Sequence, residues 1–181
     1  AAARAEKGAD KILSVTTGFS DTLAETFRVT SNGFSGSRRD TSFWVSAEVS
    51  VKDSDGRKPE DYAYGGARFV GEVPKPAEIG RDAARRALSR LGSRKGDSAV
   101  LTMAVENRSA GRILGYLLAP LSAGAIQQKR SFLEGKVGQA IGSPRLTLTD
   151  DPLVPKGFGS RLFDGEGLAA RRMPVFEEGV L

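Results

Sequence analysis

The ten residues from Phe43 to Lys52 constrain the fold most. Phe43, Val45, Ala47, Val49 and Val51 alternate with Trp44, Ser46, Glu48, Ser50 and Lys52. A period of two over this length fits a β-strand with one apolar face and one polar face. Half-buried strands of this kind belong to antiparallel sheets. The neighbouring sequence supplies partners. Lys11–Thr17 reads as a short strand, a loop follows at Gly18, Ser20 and Asp21, and Glu25–Thr30 alternates again. Ser31-Asn32-Gly33-Phe34 carries the Asn-Gly pair that favours a two-residue hairpin. Asp53-Ser54-Asp55-Gly56 reads as the next turn, and a further strand is expected over 61–70, with Gly65-Gly66 as a bulge. Residues 1–10 read as the end of a helix.

Pro74 and Pro76 end the strand region. From Glu78 to Leu91, Ile79, Ala83, Ala87, Leu88 and Leu91 recur at helical spacing, and Gly92 suits a C-terminal cap. The fold class is therefore α+β: an antiparallel meander with a packed helix, followed by the start of a second, mixed α/β domain. The boundary is placed in Gly92–Gly96, giving domains 1–95 and 96–181. In the second domain, Ala99–Val105 reads as a strand. Ser109–Lys129 reads as an apolar helix buried on most sides, broken or kinked at Pro120. Short strands are expected at Leu146–Asp150 and Arg171–Phe176. The first residue is not Met and the last residues read as a strand just begun, so the chain is expected to be a piece of a longer protein.

Two absences limit the chemistry. There is no cysteine and no histidine among 181 residues. Disulfides, thiolate catalysis and a Ser-His-Asp triad within this chain are excluded, and the commonest zinc ligands are missing. The net charge is +5, but it is spread evenly: residues 1–98 hold 17 basic and 14 acidic side chains, and residues 99–181 hold 10 and 8. The densest basic group, Arg81, Arg85, Arg86 and Arg90, is interrupted by Glu78 and Asp82 and reads as a solvated helix face. Nucleic acid is thus an unfavoured partner. No apolar run is long enough to span a bilayer, and no export signal is evident, so a cytoplasmic location is expected.

Nucleotide and calcium motifs fail on spacing. Gly135-Lys136 has Arg130 where a phosphate loop needs glycine and Val137 where it needs Ser or Thr. Gly56 comes two residues too early for a calcium loop begun at Asp53. Asp150-Asp151, Asp164 and Glu166 could do acid–base work if their environments drove their pKa values apart. In Gly- and Pro-rich loops, carboxylates more often bind local backbone N–H groups.

SFLEGKVGQAIGSPRLTLTDDP (131–152) and GFGSRLFDGEGLAARRMPVFEEGVL (157–181) together resemble the TldD/PmbA family, once called modulators of DNA gyrase and now regarded as metallopeptidases. The matching features are Ser131-Phe132, Gly135 and Gly138, Thr147 to Asp151, the Ser-x-x-Phe-Asp-x-Glu-Gly signature at Ser160–Gly167, and the closing Gly179–Leu181. Ser31–Phe34, Gly65 and Arg68 look like the family's second domain. The resemblance implies a middle domain and the beginning of a C-terminal domain, without the N-terminal domain. TldD-like members carry His-Glu-x-x-x-His on a helix before the serine-glycine stretch. The equivalent window here is Gly115-Tyr116-Leu117-Leu118-Ala119-Pro120. This implies the PmbA/TldE-like branch: no cofactor in this chain, zinc in a TldD-like partner subunit, and peptide as substrate. Ser131, Phe132, Gly135, Gly138, Asp150, Asp151, Ser160, Asp164 and Glu166 become candidates for peptide or partner contact. A gyrase- or nucleic-acid-associated role is the alternative. Exposed sheet edges would also give such a piece a route to self-association.

Overall fold

A computed structural model describes residues 1–181. The chain forms two compact units, Ala1–Lys95 with Pro152–Arg171, and Gly96–Asp151 with Arg172–Leu181.

The first unit is built on a three-stranded antiparallel sheet in the order β1 (Ile12–Val29), β2 (Ser35–Val51) and β3 (Glu60–Ala67). The alternation in β2 decides which face is buried. Val45, Ala47, Val49 and Val51 are buried, and Val49 and Val51 have no exposed surface. Burying each valine is worth roughly 1.5–3 kcal/mol. Helix α1 (Pro76–Ser89) covers this face with Gly80, Ala83, Ala84 and Ala87. These small residues let the helix backbone lie close to the sheet, and Ala3, Ile12 and Ala63 complete the cluster. Pro76 occupies the first turn, where its missing N–H costs nothing.

Two polar anchors fix one end of this layer, where the β2–β3 turn meets the C-terminal end of α1. Asp61, buried on β3, accepts a hydrogen bond from Arg90 Nε at 2.8 Å just beyond α1. Asp53, also buried, accepts from the backbone N–H groups of Ser54 (2.7 Å) and Gly92 (2.9 Å) and faces Arg57. Arg90 caps α1, and Gly92, two residues beyond it with a left-handed φ of 71°, is tied to the β2–β3 turn through the Asp53 carboxylate.

Several local expectations need correction. The segments 11–17 and 25–30 are one continuous strand, because β2 pairs with every residue through Gly18, Ser20 and Asp21. The ladder satisfies a backbone that local composition read as loop. The hairpin connection is longer than two residues: Thr30–Phe34, five residues, lie between β1 and β2. Thr30 N–H donates to Phe34 O, Gly33 N–H donates to Thr30 O, and Gly33 has φ 89°. Gly65-Gly66 is not a bulge, since β2 and β3 stay in register across it. A Cβ at Gly65 would lie 2.7 Å from Pro74 Cγ, and one at Gly66 2.5 Å from Trp44 Cδ2, so each glycine admits a ring to one sheet face. Residues 1–11 form two short 3-10 turns instead of a helix end.

The second unit has less regular structure. Helix α2 (Asn107–Leu118) passes into a 3-10 turn at Ala119–Leu121 and then into α3 (Ala123–Gln127). The expected break at Pro120 is present, and Ser122 Oγ caps α3 by accepting from Ala125 N–H. The expected burial of this helix is not found: no residue of α2 is buried, and Tyr116 is 81% exposed. Residues 99–105 form no strand, since no strand of this chain pairs with them. β4 (Leu148–Asp150) and β5 (Met173–Phe176) pair antiparallel. Their anchor is Phe176, fully buried.

Candidate functional site

In the first unit, residues 152–171, placed with 96–181 on sequence, pack against the sheet. Arg68, one residue past β3, holds this segment. Its guanidinium donates to Thr41 O (3.0 Å), to Gly157 O (3.3 Å from both Nε and Nη2) and to Phe158 O. Thr41 Oγ1 returns a bond to Arg68 O at 2.6 Å. Phe158 stacks on Trp44 with centroids 4.7 Å apart. Phe163 packs on Phe34 at 4.9 Å. Arg28 Nη1 on β1 donates to Gly165 O at 2.5 Å.

The Ser160–Gly167 loop is braced from within. Ser160 Oγ donates to Val154 O. Asp164 Oδ1 accepts from the N–H groups of Glu166 (2.8 Å) and Leu168 (2.9 Å). These backbone donors hold the Asp164 carboxyl below its ordinary range. That is the environment of a structural carboxylate, with its charge committed to the loop. Glu166 is exposed on the same loop. A Cβ on Gly167, at φ 85°, would fall 2.5 Å from the Phe34 ring. The glycine that ends the signature therefore makes room for the aromatic pair.

In the second unit, the glycine-spaced segment wraps the last residues. Gly138 N–H donates to Leu181 O (2.8 Å), Leu181 N–H to Gln139 O (3.1 Å), and Ile141 and Gly142 N–H both to Gly179 O (2.9 and 3.1 Å). Gly135 and Gly138 have φ of 70° and 80°, which glycine adopts without strain. Gly179, at φ 83°, comes closer still: a Cβ there would lie 2.5 Å from Gly142 O. Ser131 Oγ accepts from Leu133 N–H at 3.0 Å, which turns buried Leu133 inward and leaves Phe132 exposed. Asp150 lies in β4 opposite Met173, and Asp151 faces Arg172 at 3.5 Å. An open groove of about 760 Å³ is lined by Val137, Pro174, Val175, Glu177, Glu178 and Val180, together with Leu181. The structure thus gathers Ser160, Asp164 and Glu166 on one loop of the first unit, and Ser131, Phe132, Gly135, Gly138, Asp150 and Asp151 in the second.

Comparison with known proteins accounts for this arrangement. Residues 1–91 match the PmbA/TldA metallopeptidase central domain, and residues 98–181 match the PmbA/TldA metallopeptidase C-terminal domain. The chain belongs to the PmbA/TldA metallopeptidase family. The metalloprotease PmbA of Escherichia coli O157:H7 is 32% identical over 131 residues, which cover 72% of this chain and 29% of that protein. A crystal structure from Bacteroides thetaiotaomicron, described as a proposed modulator of DNA gyrase, superposes with a TM-score of 0.91 at 36% identity, covering 95% of this chain and 39% of that one. TldE from Thermococcus kodakarensis shares the fold, with a TM-score of 0.70 at 20% identity over 91% of this chain and 37% of its own. The chain therefore spans well under half the length of these PmbA-family proteins.

A metallopeptidase family implies a metal, and the residues here do not fit one. The chain has neither histidine nor cysteine, and among the described residues no group of three or more carboxylates could hold a metal ion. The Gly115–Pro120 window forms the last turn of α2 and the 3-10 turn after it, with side chains that offer apolar surface and one phenol. No helix is long and apolar enough to cross a membrane.

Two parts of this arrangement lie beyond the reach of the sequence. These are the clamp that Arg68 forms on residues 157–158 and the stacking of Trp44 on Phe158. Their partners lie some ninety residues or more away in sequence, so no local pattern signals the contact.

Proposed function

We propose that this chain is part of a PmbA/TldE-like subunit that binds no zinc through these residues and acts with a TldD-like partner, in the cytoplasm, to degrade or mature unfolded peptides. The observation that carries the reading is the Gly115–Pro120 window. Metal-assisted hydrolysis needs ligands for the metal and a base for the attacking water. This window supplies neither, and Pro120 ends the helix that would space such ligands. The partner would provide zinc and the base, and this subunit would enclose and present the peptide. β1 and β3 are the edges of the sheet, and an edge can take an extended peptide of any sequence through backbone hydrogen bonds. Exposed Phe132 and the groove beside Leu181 offer surface for the partner.

The test is reconstitution. Full-length protein, a TldD-like subunit and their mixture are assayed on an unstructured peptide. Hydrolysis is expected to rise sharply in the mixture, and hydrolysis by this protein alone would contradict the reading. A gyrase-associated role takes its support from the description of the Bacteroides structure. It predicts DNA affinity that falls steeply between low and physiological salt, measurable by gel shift.

A further inference from the structure

Strand β1 is a sheet edge along its whole length, since β2 alone pairs with it. Edge strands are commonly blunted by lysine, proline or a bulge. From Ser14 to Val29, β1 has no lysine and no proline, and its register with β2 runs unbroken. Its outer row of backbone groups is open to another strand.

The side chains beside that edge form an ordered row. Phe19, Asp21, Leu23, Glu25 and Phe27 share one face, by the two-residue period of a strand. Helix α1 packs on the same face further along, over Ala47, Val49 and Val51. Phe19, Leu23 and Phe27 are each more than half exposed. Contiguous apolar surface of this kind marks a contact site. The two carboxylates between these residues differ. Glu25 pairs with Arg39 at 3.3 Å from its cross-strand position. Asp21 has Phe43 opposite it, and the one basic residue that β1 and β2 place on this face is Arg39, already paired. Asp21 therefore stands between two apolar side chains without a counter-charge from the sheet. Arg28, which holds Gly165 O, lies on the other face.

We infer that β1 from Phe19 to Phe27 receives an added peptide strand and selects it by charge, with lysine or arginine opposite Asp21 and apolar side chains opposite Phe19 and Leu23. The choice of a peptide rests on the peptide-handling function proposed above. Backbone bonds alone accept any sequence, and this row of side chains adds a preference. Opposite charges directly across a strand pair stabilise it, and like charges oppose it. Apolar positions flank the basic one on both sides, so the pattern is the same for either strand direction. A second copy of β1 fits less well. The antiparallel register centred on Leu23, which aligns Phe19 with Phe27, sets Asp21 opposite Glu25.

The test uses the full-length protein without any partner subunit. The probe is a blocked seven-residue peptide with lysine at its centre, leucine two positions to either side and threonine elsewhere. Its analogue carries glutamate at the centre. Binding is read by fluorescence anisotropy of the labelled peptides and by amide exchange of β1. The lysine peptide is expected to bind about fivefold more tightly than the glutamate peptide and to protect β1 amides. Asp21→Lys is expected to reverse the preference, with thermal melts checking that the variant folds. Methylating alternate peptide nitrogens is expected to abolish binding. Equal binding of the two peptides, or binding of neither, overturns the inference. Undiminished binding of the methylated peptide overturns strand addition. Protection of β1 amides in the free protein, or a stable dimer that Asp21→Lys alters, shows the edge already taken and overturns it as well. Charge-selective binding with no cleavage on reconstitution keeps this site and removes the peptidase reading. Cleavage on reconstitution without charge preference here does the reverse.

Discussion

The two units hold themselves together by different means. In the first, a seventeen-residue strand presents four consecutive inward positions to a helix faced with alanine and glycine. Burial is continuous and shared among many side chains. In the second, Leu133 and Phe176 supply the large buried side chains, and glycines 138, 142 and 179 lock loop against loop through backbone hydrogen bonds. One unit is specified by side-chain periodicity and the other by backbone geometry at a few positions. A periodic core spreads the effect of a substitution, whereas a core with one aromatic anchor concentrates it.

That contrast can be broken by substitution. Phe176→Ala should have the largest effect, about 3–5 kcal/mol, because it empties the one aromatic anchor of the second unit. The expected readout is loss of amide-exchange protection across Leu148–Asp150 and Met173–Phe176. Val49→Ala in the first unit should cost less, about 2–3 kcal/mol. Urea unfolding followed by the fluorescence of Trp44, the only tryptophan, reports it. If Val49→Ala proved the more damaging, the contrast between shared and concentrated burial would fail.

A smaller effect sharpens the comparison through pH. The N–H groups of Gly92 and Ser54, with Arg57 nearby, hold the Asp53 carboxyl below its ordinary value of 3.8. Between the folded and unfolded values the unfolded chain binds more protons, so stability rises with pH there. The contribution is complete above 3.8 and is lost as pH falls through the lower folded value. Asp164 behaves the same way. Asp53→Asn should therefore lower the melting temperature near neutral pH and flatten its acid dependence. An unchanged acid slope would show that this carboxylate does not tie the helix end to the turn.

The first unit was legible where one signal dominated. The β2 alternation and the spacing of Ile79, Ala83, Ala87 and Leu91 led directly to a strand and a helix. Pro120 marked its own break. The failures came where tertiary partners outweighed local preference. Gly18, Ser20 and Asp21 looked like a loop, yet a full ladder with Ser46, Trp44 and Phe43 keeps them extended. Ala99–Val105 looked like a strand, yet a strand needs a neighbour to accept its backbone bonds. The carboxylates of the signature stood out by chemistry, but whether Asp164 catalyses or braces depends on two backbone N–H groups that only the folded loop brings to it.

The most direct measurement pairs full-length protein with a TldD-like subunit whose zinc-motif glutamate has been replaced by glutamine, and follows both bound zinc and cleavage of an unstructured peptide. The account predicts no cleavage, with all zinc accounted for by the partner. Cleavage that persists in this mixture, or stoichiometric zinc on the full-length protein purified alone, would contradict it.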